Sequence, residues 1–175
     1  MVGEIWQDIP GHEHRERCST WNDTETMNHI LLECNSSARI TIWEQAGEIW
    51  PHGRRSWPAI TMCTILGIGS INSQPDVPAE NNIQHNSKTE TRGKTGLLQI
   101  LILEASHLIW TLRCERTIQK KQHAPEEIRR RWAKAIHSRI TTDRIQATKI
   151  RREKKFSRIA KATWNRVLQE RSRFF

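Results

Sequence analysis

The 175 residues, 36% of them hydrophobic, suit one domain or a small domain with a tail, and they exclude a multi-domain enzyme. Leu, Ile, Val and Phe supply 37 of the 175 positions, little above the ~20% typical of disordered chains, so a modest core over part of the chain is expected. Charge is lopsided: residues 113–175 hold 20 Lys/Arg against 6 Asp/Glu, residues 1–112 hold 8 against 13, and the basic half points to a polyanionic partner, nucleic acid (RNA or DNA) or an anionic surface.

In chain order, residues 1–20 are polar, with Pro10-Gly11 as a turn signal. Met27, Ile30, Leu31 and Cys34 recur at helical spacing, which predicts a short helix from Thr24 to about Leu32. Ser37 is the expected cap of a second helix reaching Trp50, with Ile42, Trp43, Ala46, Ile49 and Trp50 on one stripe and Pro51 preventing continuation. Residues 58–66 predict a helical turn or short buried segment. Residues 70–96 contain three strongly apolar side chains and predict a long flexible linker between segment 1–69 and a basic helical region, 97–175.

Leu97 to about Gln122 predicts a helix apolar over most of its circumference, hence a core helix. Pro125 with Glu126-Glu127 fits the first turn of the next one, whose inner face carries Ile128, Trp132, Ala135, Ile136 and Ile140. Thr142-Asp143 reads as the start of another helix. A last one places Phe156, Ile159, Ala160, Trp164, Val167 and Leu168 inward. No strand alternation is visible. The expected fold is mostly α: an irregular helical bundle with a small zinc-knuckle-like N-terminal segment and a long linker.

Cys18, His29 and Cys34 are the residues with ligand chemistry. His-x4-Cys is a spacing of small zinc modules, in which imidazole and thiolate share a tetrahedral ion. On a continuous α-helix, however, positions five apart point about 140° away from each other, so the helix must unwind before Cys34. A closed site needs a fourth donor. C-x2-C spacing puts it at position 21, where Trp21 stands, and indole offers no lone pair. His12, His14 and Glu16 remain as alternatives.

The stretch IPGHEHRERCSTWNDTETMNHILLEC resembles the zinc-binding region that follows the ribonuclease H domain in polyproteins of fungal non-LTR retrotransposons, where C-x2-C-x7-H-x4-C precedes an apolar Trp-bearing helix. Cys18, His29, Cys34 and ITIWEQAGEIWP fall in register, and Trp21 departs. LEASHLIWTLRCER, RRRWAKAIHSRITTDR and ATWNRVLQE resemble further blocks of the same elements in the same order. The resemblance implies a degenerate copy of a module that binds the element's RNA or target DNA, with zinc as cofactor. An alternative is a helical fragment that docked on the ribonuclease H or reverse transcriptase domain and has no activity alone.

No catalytic apparatus is expected. Ribonuclease H chemistry needs clustered carboxylates around two metal ions, and the chain has four Asp without a strand scaffold. Gly93-Lys94-Thr95 lacks the upstream glycine and strand of a phosphate loop. Glu104, Ser106 and His107 lie within two turns of an apolar helix, and a Glu104–His107 pair is the simpler reading. For phosphate contacts, two arrays stand out: Arg129, Arg130, Arg131 and Lys134, and Arg151, Arg152, Lys154 and Lys155. Trp132, Phe156 and Trp164 fit core packing better than base stacking. Without a basic leader followed by an apolar run, an intracellular, reduced setting that includes the nucleus is expected. Leu97–Leu112 reads as too short and too interrupted to span a bilayer, and no membrane partner is expected.

Overall fold

The computed structural model describes residues 2–71, 84–149 and 154–169, with side chains in the latter two stretches from residues 88 and 157 onward. Among the described residues the fold is α-helical; an isolated antiparallel bridge between Arg17 and Thr24 is the sole β pairing. Five α-helices follow one another: α1 (Ser37–Ile49), α2 (Met62–Leu66), α3 (Gln84–Ile118), α4 (Pro125–Lys149) and α5 (Lys154–Gln169).

The cap of α1 lies one residue before the predicted one: Ser36 Oγ accepts the Arg39 amide at 3.4 Å. It stops at Ile49, before Pro51, which cannot supply a helical N–H. The predicted stripe is the buried one, with Ile42 and Ala46 fully enclosed. Trp43 and the C-cap residue Trp50 donate their indole N–H groups, Trp43 to the Leu31 carbonyl (2.8 Å) and Trp50 to Ser56 Oγ (2.9 Å). α2 opens on a reciprocal cap between Thr61 and Thr64.

α3 is the central element, packed against α1, α4 and α5. Leu97, Leu101, Ile102, Ala105, Ile109 and Leu112 are almost wholly buried along it. The helix is longer than its apolar pattern predicts. Of the expected linker, residues 72–83 lie outside the described ones, and residues 84–96 are helical rather than a linker. A distant partner supplies the reason: the Gly93 backbone meets Ala162 of α5 so closely that a Cβ there would lie 2.7 Å from the Ala162 carbonyl carbon. Tertiary contact thus orders a stretch whose own composition is polar. With those added turns, α3 is long and apolar enough to cross a membrane by length and composition, at mean hydropathy 1.4 over its best window. Of that window, 44% is buried inside the fold.

α4 starts at Pro125 as predicted and buries Ile128, Trp132, Ile136 and Ile140. It does not restart at Thr142-Asp143. The Thr141 and Thr142 hydroxyls donate to carbonyls four residues back, both at 2.9 Å, which satisfies them within the helix. Asp143 is buried, and its Oδ2 accepts the Trp164 indole N–H at 2.9 Å, joining α4 to α5. Trp164 and Val167 face the core, whereas Leu168 is 40% exposed and does not join the predicted inner stripe; Phe156 lies outside the described side chains. Met27, also expected inward, is 38% exposed; the π-helical turn that follows it, His29–Glu33, departs from the α-helical spacing behind that expectation.

Candidate metal centre and basic surface

The Cys18 loop is closed by backbone bonds. Cys18 N–H donates to the Asp23 carbonyl (2.8 Å), and Asn22 N–H donates to the Cys18 carbonyl (2.7 Å). Asn22 adopts φ 54°, the left-handed conformation that asparagine tolerates. Next in the chain, residues 29–33 form a single π-helical turn, closed by Cys34 N–H to the His29 carbonyl at 2.7 Å. That i→i+5 turn is wider than an α-turn. It removes the 140° divergence expected between His29 and Cys34 and brings both onto Cys18. Cys34 then leaves the helix at ψ 127°.

The result is a buried three-residue donor group. Cys18 Sγ, Cys34 Sγ and a His29 ring nitrogen all lie within 4.8 Å of one another, and this group could hold a metal ion. The two sulfurs are 3.6 Å apart. Two thiolates at ~2.3 Å from one tetrahedral ion would stand roughly 3.7–3.8 Å apart, so the spacing fits. A second observation agrees: both His29 ring nitrogens are enclosed without a hydrogen-bond partner, a costly state that a metal bond would relieve. Burial pushes the Cys18 thiol up, but the nearby His29 ring, the amides of Thr20 and Trp21, and Cys34 outweigh it and bring the thiol down from 9.0 to about 7. The surroundings therefore favour the thiolate, the form that ligates.

The predicted triad is brought together; the fourth donor is not. Trp21 is 52% exposed, its ring 6.2 Å from that of His29. His12 packs against Trp6 (6.2 Å) and His14 (6.3 Å), and among the described residues neither histidine joins the donor group.

The basic candidates divide. Arg129, Arg130 and Lys134 are exposed on α4. Arg131 is not available in the same way: both terminal nitrogens hold Glu115 of α3 at 2.7 Å, and the guanidinium lowers the carboxyl's pKa while the carboxylate raises the guanidinium's. Arg131 is therefore a cross-link between helices rather than a surface cation. Arg151 and Arg152 lie outside the described residues, as do the side chains of Lys154 and Lys155 at the start of α5. Glu104 is partly buried and His107 exposed, on the rim of an open groove of about 490 Å³ between α3 and α4 that Lys134 also lines.

Sequence reasoning missed the residues that fasten the donor loop. Glu25, almost fully buried, receives Arg113 Nε at 2.6 Å and a second bond from the same guanidinium. An isolated acid beside an apolar run, and an isolated arginine inside one, were the available signals. No family model, curated protein or solved structure matches the chain.

Proposed function

We propose that this protein is a non-catalytic nucleic-acid-binding module whose N-terminal loop is held by zinc. The observation that carries the reading is the outer face of α4, where Arg129, Arg130 and Lys134 stand exposed in a half of the chain with 20 cations against 6 anions. Such a face neutralises phosphates without reading bases. Zinc follows from the donor types: two thiolates and an imidazole suit it, whereas magnesium and calcium prefer oxygen. Bound there, the ion would supply folding energy to the loop. The ordered sequence blocks support an origin in the region after the ribonuclease H domain of a non-LTR retrotransposon polyprotein, with RNA or target DNA as the ligand.

The test is a titration of labelled single- and double-stranded oligonucleotides at several salt concentrations. Log affinity is expected to fall linearly with log salt, and R129Q/R130Q to reduce the slope by about 1 for each phosphate contact removed. No binding at ~50 mM salt, where phosphate contacts are strong, rejects the reading.

A further inference from the structure

Two guanidinium groups share one carboxylate beside the donor loop. Arg113 takes the Glu25 carboxylate in a two-point contact, and Arg116 reaches only 3.8 Å from its other oxygen. Arg116 is nevertheless largely enclosed: its side chain is 18% exposed, and its Nε is buried without an acceptor. One positive charge at this place is therefore uncompensated, a costly arrangement that an anion would relieve.

A recess of about 590 Å³ adjoins it. Arg113, Arg116 and Lys121 contribute to its wall, with the hydroxyls of Ser36 and Ser37, and Ile109 and Leu112 supply apolar surface. No carboxylate is among its lining residues. Glu115 and Glu127 approach Lys121 from outside the recess, at 3.9 and 3.3 Å, and the lysine is half-exposed. We propose that this recess is an oxyanion site that takes a terminal phosphate group, with Arg116 as the principal charge and Lys121 closing on it. A terminal phosphate is favoured because an internal phosphodiester continues as chain on both sides and lies along open surfaces, whereas a terminal one enters a recess end-on. The shared chemistry has two sources, the end of a nucleic-acid strand and free phosphate.

The experiment uses the full chain, with inorganic phosphate followed by amide chemical shifts, then 5′-phosphorylated and 5′-hydroxyl single strands of one sequence. Inorganic phosphate is expected to move the Ser36 and Ser37 amide signals. R116Q should weaken its affinity about 10-fold or more, as loss of a charged hydrogen-bond donor does. K121Q, on a half-exposed side chain, should weaken it less and keep the fold. A preference for the 5′-phosphorylated strand assigns the site to strand ends; equal binding of the two strands with retained phosphate response assigns it to free phosphate. Unmoved signals at ~10 mM phosphate, a generous ceiling for a specific site, overturn the proposal, as does phosphate affinity that neither variant changes. R129Q/R130Q should leave the phosphate response intact, so failure of the α4 reading and failure of this one are told apart.

Discussion

Trp21 occupies the position at which a second C-x2-C cysteine would complete the donor group. Its amide already faces the Cys18 sulfur, so position 21 lies beside the donor group. Trp21→Cys is therefore expected to raise zinc affinity by at least about 10-fold, read by competition with a chromophoric chelator, because a third thiolate, as fourth ligand, closes the tetrahedron. Unchanged affinity would move the fourth donor elsewhere. Cys18 also sets a pH dependence. Its thiol is shifted down from 9.0 to about 7, so the fold favours the deprotonated form. The stabilisation is fully present above pH 9 and is lost as pH falls through about 7. The urea midpoint of the metal-free protein should rise between pH 7 and 9, and Cys18→Ser should flatten that rise.

Between helices, Gly93 sits close against Ala162, and two opposed effects meet there. Gly93→Ala improves helix propensity by ~1 kcal/mol. The added methyl would lie 2.7 Å from both the carbonyl carbon and Cβ of Ala162, and backbone has little room to yield. Overpacking of this kind costs about 1–3 kcal/mol, so a net loss of thermal stability is expected; a gain would mean that the α3–α5 contact is looser than described. The same contact explains what was legible. Ile128, Trp132, Ile136 and Ile140 announce their shared face by spacing alone, and they are buried. Residues 84–96 carry no such signal, because their order comes from a helix some seventy residues later. Thr142-Asp143 resembles a cap until Trp164 is brought against it. The donor triad was readable as residue types, but the π-turn that aligns it was not, since nothing in HILLE distinguishes an i→i+5 turn from an α-turn.

Across the whole molecule, the division into an acidic and a basic half describes composition better than contact. Arg113 and Arg116 reach back to Glu25, yet Arg131, Lys121 and Arg139 are balanced by Glu115, Glu127 and Asp143 of their own half. Arg129, Arg130 and Lys134 on the outside of α4 are left for solvent or a ligand. Glu25 consequently has a weight that no local pattern reveals. Glu25→Gln would strand the buried Arg113 guanidinium and is expected to cost about 3–5 kcal/mol, measured by chemical denaturation. A loss below ~1 kcal/mol would show that water reaches the site.

That contact joins residues 88 positions apart. A nascent chain thus synthesises both cysteines and the histidine long before it makes the arginine that clamps them. Until α3 emerges from the ribosome, the loop must wait with its thiols uncovered, so the order of translation itself sets when the donor group can be captured.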